Sequence, residues 1–288
     1  MKRKALLIRI LLPAILLLTL ANRLFAFPNP VTIIQKEKHI LREETFSFVV
    51  IGDNQPRGTF GQPAVFRKII SEVNRSDAKF VVHLGDKIQG DRNKEVAREQ
   101  YKEFKSIIDE LKITMYHTAG NHDIRKSKQN EKLHEELFGP LYRSLAWKNS
   151  FFIILNTEQV GEEGNITGEQ LEWLKRELEK SKKYRDLFVF MHRPLFSALF
   201  QGKDHFHFIS SEHRNSLAEL FKQYGVTAVF AGHEHLYHSG NRDGLQQVIS
   251  GGGGAPFHFY PKGNFHHYII VNVNEKEVKI EAVPVSAE

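Results

Sequence analysis

The chain has 288 residues, 41% apolar and 26% charged, the profile of a folded globular protein rather than a disordered one, and its length suits one or two domains. It contains no cysteine, which excludes disulfide scaffolds, thiol nucleophiles, thiolate zinc sites and iron–sulfur clusters; with 15 histidines available, a transition-metal site has to be built from imidazole, carboxylate and amide. The net charge of +6 points to nucleic acid only until it is located: Lys2, Arg3, Lys4, Arg9 and Arg23 fall in the first 26 residues, which hold no acid, so the remainder is close to neutral and no polynucleotide partner is expected.

Lys2-Arg3-Lys4 followed by the apolar run Ile10–Leu20 has the form of a signal peptide. A membrane-crossing helix needs about 20 apolar residues, and this run falls well short of that. Ala26, with Leu24 two positions before it, offers a cleavage site; the alternative is an uncleaved anchor over residues 1–26. Either way the body of the protein is expected outside the cytoplasm, periplasmic or secreted, meeting a membrane only through this segment.

Residues 45–288 are expected to form one α/β domain. Phe46–Ile51, Phe80–Leu84, Ile113–His117, Phe151–Leu155, Leu187–Met191 and Val226–Ala231 are β-branched or aromatic and largely continuous, which predicts strands buried on both faces. Helices are predicted between them at Ala64–Val73, Lys94–Leu111, Gly168–Ser181 and His213–Tyr224. The third shows an apolar face of Leu171, Trp173, Leu174 and Leu178, and Thr167 stands in capping-box spacing to Gln170. Gln247–Ser250, His267–Val273 and Val278–Val283 predict three closing strands.

The polar residues immediately beyond the buried strands carry the chemistry. The first strand is succeeded by Gly52-Asp53-Asn54-Gln55, the second by Gly85-Asp86 and the third by Gly120-Asn121-His122-Asp123. The fifth leads into His192-Arg193-Pro194 and the sixth into Gly232-His233-Glu234-His235. Ligands of open α/β sheets collect beyond the carboxyl ends of strands, where these clusters can converge. Each cluster alone is an ordinary turn; five in one register are not. Mixed nitrogen and oxygen donors suit Mn, Fe or Zn better than Mg or Ca. Competing motifs fail: residues 233–237 read HEHLY, so Tyr237 stands where a zincin needs histidine, the glycine run 251–254 lacks the Walker lysine, and no Gly-x-Ser-x-Gly exists.

The series GDNQ, GD, GNHD, MHRP and GHEH, with FGPLYRS (138–144), GEQLEWLKREL (168–178), YGVTAVFAGHEH (224–235) and SGGGGAP (250–256), resembles the calcineurin-like metallophosphoesterases, most of all their extracytoplasmic branch related to purple acid phosphatases. The resemblance covers about residues 46–274. It implies two mixed β-sheets packed as a sandwich with flanking helices, and a dinuclear metal-dependent phosphoric ester hydrolase acting on a small phosphorylated substrate, monoester or diester. It implies one ion on Asp53, Asp86 and His235, with Gln55 where the family usually has histidine, and a second on Asp86, Asn121, His192 and His233. A hydroxide bridging two Mn, Fe or Zn ions would attack phosphorus, and His122 would protonate the leaving group. Two positions depart from the pattern. Gln55 is a neutral amide, and Gln89 stands where many members carry the aspartate that orients the catalytic histidine, leaving Asp91 and Asp123 as candidate partners of His122. These departures are the support for an alternative, a metal-binding or interaction protein that has lost catalysis. Residues 201–213, with His205, His207 and His213, are a candidate substrate-facing loop, and Arg57, Arg125 and Arg193 are candidate phosphate contacts.

Overall fold

The computed structural model describes residues 31–35, 45–199, 211–257 and 264–286. The amino-terminal apolar segment and residues 201–210, with His205 and His207, lie outside them. With elements numbered along the chain, one sheet runs β1 (Val31–Gln35), β12 (Glu277–Pro284), β11 (His267–Val273), β2 (Phe46–Ile51), β3 (Phe80–His83), β4 (Thr114–His117). The other runs β5 (Arg143–Trp147), β6 (Ser150–Ile154), β7 (Asp186–Met191), β8 (Ala228–Ala231), β10 (Leu245–Ser250), β9 (Tyr237–Arg242). Both are mixed: β2–β3–β4 and β6–β7–β8–β10 are parallel, and the remaining pairings are antiparallel.

The two sheets pack face to face, as expected of the sandwich, and the phenylalanines decide how. In β2, Phe46, Phe48 and Val50 point between the sheets, while Val49 and Ile51 point to the helices. Phe48 lies 5.3 Å from Phe80 and 5.3 Å from Phe188, ring centre to ring centre, with Phe152, Phe190 and Phe230 completing the cluster. Each such ring, fully buried, contributes about 1.5–3 kcal/mol. Helices α1 (Ala64–Val73), α2 (Lys94–Ile108) and α4 (Lys128–Phe138) cover the outer face of the first sheet, and α5 (Gly168–Ser181) and α6 (Ser211–Gln223) that of the second. A single turn, α3 (Asn121–Ile124), sits at the carboxyl end of β4.

The structure adds elements that the apolar pattern does not show. β5 and β9 are edge strands, half exposed, and β9 reads YHSGNR, a turn-like composition held extended by pairing with β10. α4 presents Leu133 and Phe138 to the core but carries Asn130, Glu131 and His134 buried beside them, which masks its apolar face. The capping box expected at Thr167 does not form: the Thr167 hydroxyl turns to Glu162, and Gln170 instead exchanges two hydrogen bonds with the Asn156 backbone.

His267, buried at the start of β11, donates from Nδ1 to the Phe265 carbonyl at 2.8 Å. Burial pulls its imidazole down to about 4, the Phe265 contact opposing and His266 adding to the fall. In the unfolded chain it titrates near 6.5, so the unfolded state takes up a proton between about 6.5 and 4 that the native state refuses, and stability is lost as pH falls through that window. At 1.36 kcal/mol per pKa unit this is about 3 kcal/mol. The stability difference between pH 7 and pH 4.5, from urea midpoints, should shrink by about that much in His267→Asn, whatever the variant's absolute stability; an unchanged difference overturns the assignment.

Candidate metal centre

Five loops meet at the rim where the parallel strands of both sheets end. Asp53 and Asp86 come after β2 and β3 and are the residues at which each chain turns, with φ of 58° and 56°. His233 comes after β8 with φ of 69°. Left-handed backbone at three non-glycine positions is costly and collects at functional sites. At His233 the Glu234 amide turns back onto the Gly232 carbonyl at 2.8 Å, supplying the bend that lets His233 and His235 face one place.

Two groups of side chains offer donor atoms within one coordination sphere: Asp53, Asp86 and His235 form one, and Asp86, His192 and His233 the other. Asp86 belongs to both. Around His192 Nε2 lie Asn121 Oδ1 at 2.9 Å, His233 Nδ1 at 3.1 Å and Asp86 Oδ1 at 3.5 Å. His235 Nε2 lies 3.7 Å from Asp53 Oδ1. All seven residues expected from the motifs therefore come together, and His122 stands beside them, its backbone amide donating to Asp86 Oδ1 at 2.8 Å.

The protons point away from the centre. His192 Nδ1 donates to the Leu84 carbonyl at 3.0 Å and His235 Nδ1 to the Pro256 carbonyl at 2.5 Å; a carbonyl can only accept, so each Nε2 keeps a lone pair aimed inward. Asp53 Oδ2 and Gln55 Oε1 are buried with no hydrogen-bond partner among the described residues. Gln55 Nε2 lies 3.0 Å from His235 Nε2; the ends of an amide are alike in shape, and a half-turn brings the oxygen to that side. Burial drives the Asp53 and Asp86 carboxyls well above the usual carboxylate range, and for Asp86 the neighbouring Asp53 and Asp123 push it further. Burial likewise holds His192 well below the ordinary imidazole value, with Arg193 adding to the effect. Orphaned oxygens, inward lone pairs and two crowded buried acids are the donor set that divalent cations satisfy, so the residues fit a pair of metal ions.

The decisive match is to the calcineurin-like phosphoesterase family model, over residues 46–237. The chain belongs to the calcineurin-like phosphoesterase family. It is 29% identical over 195 residues to human serine/threonine-protein phosphatase CPPED1, a match covering 64% of this chain and 62% of that one. It is 24% identical over 298 residues to rat tartrate-resistant acid phosphatase type 5, covering 85% and 88%. Its fold is similar to that of purple acid phosphatase PPD1 from yellow lupin, with a TM-score of 0.68 at 18% identity over 84% of this chain and 52% of that one. The chain thus spans about three-fifths of the length of the CPPED1 relatives it matches.

For a calcineurin-like phosphoesterase, three features of the rim could not be anticipated from motifs. Neither Asp91 nor Asp123 holds His122. Its Nδ1 donates to the backbone carbonyl of Gln89 at 2.8 Å, while Asp123 turns the other way, accepting the amides of Asp86, Lys87 and Gly120 and the Tyr101 hydroxyl. Burial lowers the His122 pKa, the Gln89 contact opposing it and Arg125 adding to it. The glycine run is a strap across the site. Gly253 donates to the Gly52 carbonyl at 2.8 Å and Ala255 to that of Asp53 at 2.9 Å. A Cβ on Gly253 would lie 2.5 Å from the Gly52 oxygen, so the backbones touch without room for a side chain. The third feature is Glu234, buried between the two histidines, whose carboxylate takes the Ala198 amide at 2.8 Å together with the Ser197 hydroxyl and so ties the loop after His192 to the histidine turn.

Of the candidate phosphate contacts, Arg193 is engaged with Glu158 through two bonds of 2.6 and 2.8 Å, Arg125 turns to Gln89, and Arg57 is exposed. His213 accepts the Ile166 amide at 3.0 Å, a packing role.

Proposed function

We propose that this protein is an exported, dinuclear metal-dependent phosphoesterase that hydrolyses a small phosphorylated substrate. The observation that carries it is the sharing of Asp86 between two groups of inward-facing donors, one of which would hold an ion on Asp53, Gln55, Asp86 and His235 and the other on Asp86, Asn121, His192 and His233. Ions held there would supply positive charge for a phosphoryl group and would lower the pKa of a water toward neutrality, with Mn, Fe and Zn suited to the mixed donors. The protein's own contribution is orientation and a proton. With Nδ1 committed to Gln89, His122 has only Nε2 from which to protonate a departing alkoxide, a role worth ~10²–10⁴-fold in rate. The near-neutral body supports a small substrate over a polynucleotide. The basic and apolar amino-terminal segment supports export, which sequencing of the mature amino terminus after secretion tests.

The test pairs metal analysis of the purified chain with hydrolysis of an aryl phosphate monoester and the matching diester. About two ions per chain with turnover of either ester is the expected result. His122→Ala should lower turnover ~10²–10⁴-fold with metal content retained; loss of the metals in that variant overturns the assignment of His122. A second reading, a metal-binding protein without hydrolysis, draws on the neutral Gln55 amide in place of an imidazole and on Gln89 in place of an aspartate; two ions and no turnover of any phosphoester select it.

A further inference from the structure

We propose that Arg125 is a positioning residue for His122, acting through the Gln89 carbonyl. The inference rests on the reading of His122 as the proton donor. The Gln89 oxygen receives three donors: His122 Nδ1 at 2.8 Å, Arg125 Nε at 3.1 Å and Arg125 Nη2 at 2.6 Å. His122 and Arg125 are three residues apart across the single turn α3, so one helical turn presents both to the same acceptor. Arg125 is placed there by a left-handed backbone, φ 51°, with its amide closing onto the Asn121 carbonyl at 2.9 Å. Its guanidinium forms no ion pair among the described residues, and both of its described hydrogen bonds go to this one oxygen.

The acceptor is held from its own side as well. Gly90, at φ 75°, lies so close against the α3 turn that a Cβ there would sit 1.7 Å from the His122 carbonyl oxygen, and its amide donates to Gln100 Oε1 at 2.8 Å. A peptide carbonyl in a loop between β3 and α2 is a neutral and movable acceptor for an imidazole. A planar guanidinium gripping it with two parallel donors fixes its direction and polarises it, a role for which the fork geometry of arginine is suited and the single ammonium of lysine is not. The consequence for catalysis is geometric. With the carbonyl pinned, the His122 ring is pinned, and Nε2 keeps one position facing the leaving group; displacement by about 1 Å at such a point costs about 10²-fold.

The experiment compares Arg125→Met, similar in length and without donors, with the wild type on phosphate monoesters of graded leaving groups, from nitrophenol to a simple alcohol. The kcat loss should steepen as the leaving alcohol becomes more basic, reaching about 10–100-fold for the alkyl ester, while KM changes little. Arg125→Lys should recover only part of it. In the His122→Ala background Arg125→Met should cost nothing further, because the two act as one unit. A readout free of turnover is the nitrogen-bound proton of His122 Nδ1 in the metal-free protein, followed by NMR: protected from exchange in the wild type and lost in Arg125→Met. A loss equal for all leaving groups, a uniform rise in KM as for a phosphate-binding arginine, or additivity with His122→Ala overturns the proposal, as does an unchanged Nδ1 proton. If His122→Ala itself is insensitive to the leaving group, the proton-donor reading fails first; if it is sensitive and Arg125→Met is not, only the role of Arg125 fails.

Discussion

Asp86→Asn is expected to lose metal from both positions at once and with it turnover, by about 10³-fold or more: several kcal/mol of charge stabilisation disappear, at 1.36 kcal/mol per tenfold in rate. The substitution is chosen because asparagine keeps an oxygen able to accept the His122 amide at Oδ1, so the local backbone need not change. Its second consequence has the opposite sign. Without metals, Asp86 is a buried carboxyl crowded by Asp53 and Asp123 and held well above its ordinary range. A carboxyl whose folded pKa is raised binds its proton more tightly in the native state, so it favours folding at low pH and weakens it as pH rises through the unfolded value near 4. Metal-free Asp86→Asn, which has no such proton to lose, should therefore be at least as stable at pH 7 as the metal-free wild type. Metal analysis, turnover of an aryl phosphate and thermal melts of chelator-treated protein check all three. Two ions retained with near-normal turnover would show that Asp86 is not shared.

Lys87→Met should cost about 3–5 kcal/mol, a large part of the ~5–15 kcal/mol that holds a domain folded. Lys87 and Asp123 have no exposed side-chain surface, and their charges meet at 3.0 Å beneath the centre. The ammonium has three protons and three acceptors: Asp123 Oδ2 at 3.0 Å, the Thr118 carbonyl at 2.7 Å and His134 Nε2 at 3.1 Å. Asp123 in turn carries the amides of Asp86, Lys87 and Gly120, so the pair sets where two of the site loops begin. Removing one partner leaves a buried carboxylate without its cation, whereas Lys87→Met/Asp123→Asn removes both charges and should regain part of the loss. Urea unfolding of Lys87→Met, Asp123→Asn and the double variant measures this. A double variant no more stable than the sum of its single changes would mean that the charges do not act as a pair.

Most strands that frame the site are legible because they are buried on both faces and so written as largely apolar runs, from Phe46–Ile51 to Leu187–Met191; β4, expected to be buried likewise, lies at the edge of its sheet and is half exposed. The donor residues are legible because they come directly after those runs. Where the sequence is silent, there is a physical reason in each case. β9 owes its extension to pairing with β10 rather than to its own YHSGNR composition. Lys87, one place after a candidate ligand, has the look of a solvated charge, and its burial exists only once α2 and α4 close over it. Side-chain chemistry directs the search for a His122 partner to carboxylates; the acceptor is a peptide carbonyl, which every residue possesses and no side chain announces.

While the sandwich follows only from the family resemblance, the class of elements, the aromatic strands and the inventory of imidazole, carboxylate and amide at their ends are written in the sequence. That information is local: it rests on periodicity and on which residue comes after which strand. What the chain's local pattern does not contain is which nitrogens of His192 and His235 face inward, and that His122 Nδ1 and Arg125 meet on the Gln89 carbonyl. Those outcomes depend on contacts such as that between Asp53 and the His233 amide, 180 positions apart, which come into existence only when two sheets pack and bring their strand ends to a common rim.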